Sequence, residues 1–327
     1  MPTKIVQYLT SISLFLSMSA PLMAEESIAE FIQFDKQIDI LKANPELDIH
    51  SIVRLTNLSV NNFNASELSG LAWDEDEKLL YALSDKGYIL HLRPVFSGQE
   101  LTDILLLDGF YLKDEKGNRL RWKQADSEGL DILLSNNGKH DDSTLLVCFE
   151  RIPRVIKFSP NGQFIEEIKL PELIQDINNY QSENRSLEAI TSHPGLDIIL
   201  GLENSLKKED HNQLNIYSIT GQNIKFPSAL DAGGGLSGMT VFENNDLLIL
   251  ERGFSGIWPT FEFALHRITI HENDVQNRVV ATFPSDNELF NDNFEGITRH
   301  TKNNFFMVSD DNNHPLKRTL LVYFEIK

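Results

Sequence analysis

The amino-acid sequence predicts an all-β fold, a β-propeller of five four-stranded blades. Three observations predict it. A segment with one internal grammar recurs five times, at spacings of 59, 60, 49 and 58 residues between Gly70, Gly129, Ala189, Gly238 and Gly296. Each copy holds two short apolar runs joined by a turn rich in Asp, Asn, Gly and Lys, which is the pattern of an antiparallel hairpin. A third run follows in every copy and a fourth in four of them, so each period supplies the strands of one propeller blade. A sixth, poorly matching blade is the alternative count.

In chain order, residues 1–24 read as an export signal. Lys4 supplies a basic start, Ile5 to Leu22 is mostly apolar, and cleavage is expected after Ala24. A periplasmic or extracellular location follows as an expectation. No Cys stands directly after the expected cleavage site, so no lipid anchor is expected, and no later apolar stretch is long enough to span a membrane. Residues 25–47 form an N-terminal extension whose apolar spacing predicts helix. The propeller domain is expected over 48–327. Its first run, "DIHSIVRLTNL" from Asp48 to Leu58, precedes the first repeat. The fifth repeat lacks a fourth run because the chain ends at Lys327. The N-terminal strand is therefore expected to complete the last blade and close the ring.

The repeats open at Leu68, Ser127, Ser186, Gly235 and Asn293. If the first strand of each blade descends from the top face, the second ascends, and both its end and the start of the first lie at the top. The long connections fall on that same face, among them the one running from Gly109 to Ser127. Long ordered loops commonly carry function. The first strand lines the axis. Glu128, Glu188 and Glu295, each just before the small residue of its repeat, are thus expected to ring the top of the channel, with Ser69 and Ser237 in the other two places. Asp85, Glu150, Glu203, Glu251 and Asp310 end the second strands and are expected to form an outer ring. Lys86, Arg151, Asn204, Arg252 and Asp311 follow one step on.

Carboxylates at strand ends can simply accept backbone N–H bonds. Several converging on one axis repel each other unless bound protons or a cation neutralise them. An oxygen-only ligand set without Cys or clustered His suits a hard divalent ion, Ca²⁺ above all. The candidate ligands are Glu128, Glu188, Glu295, Asp310, Asp85 and Glu203.

The formal net charge of −19, from 48 acids against 29 bases, argues against a nucleic-acid surface. The single cysteine, Cys148, lies in the apolar run "TLLVCFE" and reads as a buried, inert thiol. There is no G-x-S-x-G elbow, H-E-x-x-H helix, phosphate loop or EF-hand loop. His140, His193 and His300 fall near bottom turns, away from the acids, and only His314 falls in a top loop. Trp258, Phe261 and Phe263 are expected in a top loop as well.

The repeats resemble the phytase-like family named for the esterase-like activity of phytase. The resemblance covers roughly residues 66–326. It rests on "LSGLAWDEDEKLLYALSDKG", "DSEGLDIL", "CFERIPRVIKF", "LILERGF" and "NFEGITRH…FFMVSDDNN…RTLLVYFEI". A looser similarity is to gluconolactonase-type propellers, in which a Glu before Gly opens a blade and ligates a central metal. That similarity implies Glu128 and Glu295 as ligands. Ala189 for Gly and Ser for Glu in two blades depart from the pattern and leave the ligand set open. The family name implies hydrolysis of phosphate or carboxylic esters.

On this reading the protein is an exported, metal-dependent, monomeric hydrolase acting on a small anionic ester at the top of the axis. Arg151, Arg252 and Lys86 would bind the anion and a ring carboxylate would act as general base, with Glu150, Arg151, Glu251 and Arg252 as the catalytic set. The competing reading is a non-catalytic propeller that binds a protein or glycan through its top loops, with any metal purely structural.

Overall fold

Each repeat folds as its hairpin grammar predicts, because apolar residues at alternate positions give every central strand two faces to bury. The computed structural model describes residues 25–35, 39–210, 212–230, 234–255, 260–271, 274–287 and 289–327. The export signal expected over 1–24 and Trp258 lie outside the described residues. Blade 1 comprises Leu68–Asp74, Leu79–Ser84, Tyr88–Ser97 and Glu100–Tyr111. Blade 2 comprises Ser127–Leu133, Thr144–Phe149, Arg154–Phe158 and Phe164–Ile168. Blade 3 comprises Leu187–His193, Asp197–Leu202, Gln213–Ser218 and Asn223–Pro227. Blade 4 comprises Gly234–Val241, Leu247–Ser255, Thr260–His271 and Asp274–Phe283. Blade 5 takes Asn293–Arg299, Asn304–Asp310 and Leu320–Ile326 from the C-terminal repeat. Its fourth strand is Leu47–Leu55, paired antiparallel from Leu320↔Arg54 to Ile326↔Leu47. The N-terminal strand thus closes a ring of five blades. First strands touch in the order blade 1, 2, 3, 4, 5 and back to 1.

The hydrophobic core divides into five clusters, one in each gap between neighbouring blades. Phe306, Val308 and Leu321 of blade 5 pack on Leu71, Trp73 and Leu90 of blade 1, for example. Each fully buried side chain of this size contributes roughly 1.5–3 kcal/mol. Cys148 is buried in the gap between blades 2 and 3, as an inert thiol should be.

The extension departs from the helix expected over 25–47. Glu26–Ser27 pairs with Leu105 and Leu106 on the outer edge of blade 1, and Ala29–Phe31 pairs with Val53–Leu55 on the outer edge of blade 5. Among its described residues only Asp39–Ala43 is helical. The reason is the pair of open sheet edges at the seam, whose unpaired backbone groups recruit this segment. Ile28, between the two short strands, is completely buried, donates to the Ile104 carbonyl at 2.9 Å and accepts from Thr56 N–H at 2.8 Å. Beyond it, Ile32 and Phe34 alternate with exposed Gln33 and Asp35, a period of two rather than 3.6.

A second departure concerns the connection after Arg252. The hairpin continues through paired strands to Ser255↔Thr260, and Phe261 and Phe263 are buried strand residues rather than loop residues. Among the described residues no helix is long and apolar enough to cross a membrane.

Candidate functional site

All five blades share a local irregularity. Pairing of the first strand with the second skips one residue: between Leu68 and Gly70, Ser127 and Gly129, Leu187 and Ala189, Leu236 and Gly238, and Phe294 and Gly296. The skipped residues are Ser69, Glu128, Glu188, Ser237 and Glu295. A bulge leaves its extra residue outside the ladder and re-aims the side chain, so the sequence builds one such side chain per blade at the top of the axis. The small residue that follows is required by the closeness of neighbouring strands. A Cβ on Gly129 would lie 2.9 Å from Ala189 Cα, and one on Gly238 would lie 2.4 Å from the Glu295 carbonyl oxygen. Between the inner strands, beside the bulged residues, the free space is only about 10 Å³.

The bulges also fix which residues form the outer ring. The partners of Gly70, Gly129, Ala189, Gly238 and Gly296 are Leu83, Cys148, Gly201, Leu250 and Val308. Two residues beyond each partner stand Asp85, Glu150, Glu203, Arg252 and Asp310. The fifth member is therefore Arg252, and the expectation that Glu251 would occupy this ring is corrected by one residue. Glu251 takes the place held by Ser84, Phe149, Leu202 and Ser309 in the other blades. There it is fully buried, accepting from Ala229 N–H at 2.9 Å and from Ser228 Oγ, with His266 Nε2 at 2.7 Å. Those partners occupy Glu251 away from the axis, outside any catalytic set centred there.

Arg252 supplies the cluster with a tethered cation. Its guanidinium donates to Glu295, to Asn293 Oδ1 at 2.8 Å and to Glu203 Oε1 at 3.4 Å. Asn293 in turn donates to Glu295 Oε1 at 2.6 Å. Burial alone would ease the proton off Arg252, but the charges of Glu295, Glu188, Glu203 and Glu128 overcome it and hold the guanidinium more firmly protonated than usual. One cation does not neutralise so many acids. Burial, then Glu188 and Glu295, push the Glu128 carboxyl well up, and burial with Glu203 and Glu150 does the same to Glu188. Burial, Glu203 and Asp126 push Glu150 up to about 8. Burial pushes Asp85 and Asp310 up to about 7, and it raises Glu295 against the opposing pull of Arg252.

Among the described residues two groups of carboxylates converge closely enough to share an ion, Asp126–Glu128–Glu150 and Glu150–Glu188–Glu203, the oxygens within each lying inside 4.8 Å of one another. Glu150 belongs to both. Glu203 Oε2 is buried without a hydrogen-bond partner, whereas Asp85 Oδ1, also buried, faces Lys86 Nζ at 3.2 Å. An unsatisfied buried carboxylate oxygen beside converging acids fits a hard cation. The acidic cluster could therefore bind a metal. The weight of the cluster lies on the blade 2–3 side, whereas Glu295 and Asp310 stand on the Arg252 side. Asp310 is turned to Asn312, accepting from its backbone N–H at 2.7 Å. Sequence reasoning missed Asp126 and Asn293. Each stands two residues before a bulged glutamate, a spacing that marks them once the bulge is known.

A cationic cleft opens beside the acids. It has a volume of about 760 Å³ and is lined by Asp85, Lys86, Arg119, Arg121, Asp126 and Arg151 among others. Lys86 pairs with Glu67 at 2.7 Å and Asp85 at 3.2 Å, and Arg151 pairs with Asp126. Asp126 lines the cleft and also belongs to a metal-compatible group, so cleft and cluster are continuous. His314 lines a separate recess with Arg54 and Lys317. His300 packs edge-on to Trp73 with ring centroids 4.5 Å apart and stacks on Phe96, and burial lowers its imidazole to about 4.

Residues 64–313, well over half of the chain, match the family described as phytase-like, "Esterase-like activity of phytase". The chain belongs to this family. Among solved structures, this phytase-like propeller resembles a luciferin-regenerating enzyme at 8% identity, over 80% of this chain and 91% of that one, with a TM-score of 0.40. It also resembles the β-propeller domain of Cps50 (Swd1) from Myceliophteria thermophila at 10% identity, over 92% of this chain and 100% of that one, again with a TM-score of 0.40. A comparison with curated proteins gave no match.

Proposed function

We propose that this phytase-like propeller is an exported, monomeric, metal-dependent hydrolase of phosphate or carboxylic esters, with its active site at the top of the axis. The observation that carries this reading is the continuity between the Glu150-centred carboxylates and the cationic cleft. Export rests on the sequence of residues 1–24, and the hydrolytic class rests on family membership, because fold alone does not fix function. Glu128, Glu150, Glu188 and Glu203, with Asp126, would hold a divalent cation, most simply Ca²⁺ given the all-oxygen donor set. When bound, such an ion polarises the ester oxygen and offsets charge on the reacting group. Arg151 and Lys86 stand at the rim, where they orient an anionic substrate. Arg252 has no role as an exposed anion hook: it holds Glu295 and Glu203 in place. Asp85 is the strongest general base, since it lines the cleft beside Lys86 and has its carboxyl pushed up to about 7.

The test is turnover of phytate, aryl phosphates, aryl esters and lactones by purified protein with and without Ca²⁺. The expected result is ion-dependent hydrolysis of at least one class, reduced about 10²-fold or more in Asp85→Asn with substrate affinity retained. Absence of turnover on every class would sink the reading. The pairing of Arg252 with the axial acids favours a second one, in which the cluster only staples the channel. Then Ca²⁺ raises the melting temperature and no ester is hydrolysed.

A further inference from the structure

The connection between blades 1 and 2 carries a feature that packing does not explain. Leu120 and Ala125 are buried, and Ala125 fits against Gly87 so tightly that a Cβ on the glycine would lie 2.8 Å from Ala125 Cβ. These two anchors force Arg121–Gln124 outward in a short turn closed by Ala125 N–H to the Trp122 carbonyl at 2.8 Å. Trp122 is 89% exposed and holds a left-handed backbone at φ 56°. A bulky residue is disfavoured in that conformation, and an exposed indole buries nothing to offset it. Strain of this kind persists where the side chain is wanted in one place.

What surrounds the indole says what it is wanted for. Trp122 lines the cationic cleft together with Arg119, Arg121, Lys123 and Arg151. In a chain of net charge −19 this concentration of basic groups opposes the general field. Lys123 and Arg151 have carboxylate partners in Glu183 and Asp126, while Arg119 and Arg121 have none among the described residues. Arg119 is held over the Tyr111 ring with its guanidinium carbon 3.4 Å from the ring centre, which fixes its position without satisfying its donors. Two guanidinium groups with open donors next to a bare indole match a ligand carrying both a phosphate-type anion and a planar ring.

We propose that this cleft binds the substrate as a ring-bearing phosphate, with the planar group stacked on Trp122 and the anion received by Arg119 and Arg121, on the Asp126 side of the acidic cluster. Identification of the ligand as substrate rests on the hydrolase reading above, but the binding itself is measured without turnover.

The experiment is calorimetric titration of the full-length mature chain with phenylphosphonate, adenosine 5′-monophosphate, inorganic phosphate and adenosine. Phenylphosphonate or the nucleotide is expected to bind about tenfold or more tightly than inorganic phosphate, and adenosine more weakly than the nucleotide. The stronger of the two ring-bearing anions identifies an aryl or a nucleoside ester, and either result supports the proposal. Trp122→Ala should remove the ring's advantage and leave inorganic phosphate binding unchanged. The double variant Arg119→Ala/Arg121→Ala should weaken every anion. Equal binding of ring-bearing and ring-free anions, or an advantage that survives Trp122→Ala, would overturn it. The two readings fail separately. Ring-dependent binding without hydrolysis of any ester leaves this inference standing, whereas hydrolysis with no ring preference and no effect of Trp122→Ala leaves only the hydrolase reading.

Discussion

Arg252 shows how one residue changes the electrostatics of a site. In four blades the outer-ring position holds Asp85, Glu150, Glu203 or Asp310, and in blade 4 it holds a cation bonded to Glu295, Asn293 and Glu203. Removing one partner of a buried ion pair costs more than the pair is worth, because the remaining charge stays buried. Arg252→Met is therefore expected to lower unfolding free energy by about 3–5 kcal/mol near pH 8. The loss should be smaller near pH 5, because burial raises the Glu295 carboxyl and a proton there can take the place of the missing positive charge. Urea unfolding at the two pH values measures this, and an equal loss at both would mean that Arg252 stabilises by packing alone. The position was not legible in the sequence. Aligned by eye, "LILERGF" offers Glu251 as the partner of the other acids, and only the bulge at Ser237 shows that Arg252 is the true equivalent.

Elements were more legible than register. The blade strands follow from alternation and turn residues, and the closing strand follows from counting runs, so the architecture could be read without coordinates. The N-terminal extension could not. Its apolar residues fit a helical spacing, but Glu26–Ser27 and Ala29–Phe31 are ordered by two sheet edges distant in sequence, which no local pattern reveals. The same holds for the turn that presents Trp122, where the loop was recognised by length and the cleft was not. The seam makes a prediction of its own. Ile28 is fully buried where the extension crosses from blade 1 to blade 5. Ile28→Ala is expected to cost about 2–5 kcal/mol. Amide exchange should accelerate first in Glu26–Phe31 and Leu47–Leu55, since local opening begins where the ring was closed. Unchanged protection there would show that the extension is an ornament on a ring already sealed by Leu47–Leu55.

At the scale of the whole molecule, the ring brings together on one axis acids that lie far apart in sequence, and it does so in a chain that is already strongly acidic. The sign of the resulting pH dependence follows from the shifts. Glu150 is pushed up to about 8, and Asp85 and Asp310 to about 7, while their unfolded values stay near the ordinary 4.5 and 3.8. Below about pH 4 these groups are protonated in both states and their contribution is fully present. As pH rises, the unfolded chain ionises first, so stability falls until the folded groups have also released their protons near pH 8. Each shifted group contributes up to about 1.4 kcal/mol per pH unit in that window, less where neighbours share protons. Without divalent ions the melting temperature should therefore decline from pH 5 to pH 8. A bound cation favours the ionised acids and reverses the logic. With millimolar Ca²⁺ the decline should flatten or invert, and Glu150→Gln, which removes the carboxylate shared by both metal-compatible groups, should abolish the ion's effect. Thermal denaturation across this pH range, with Ca²⁺ and with chelator, decides the matter. Identical curves under both conditions would mean that protons and Arg252, not a metal, keep the acidic cluster together.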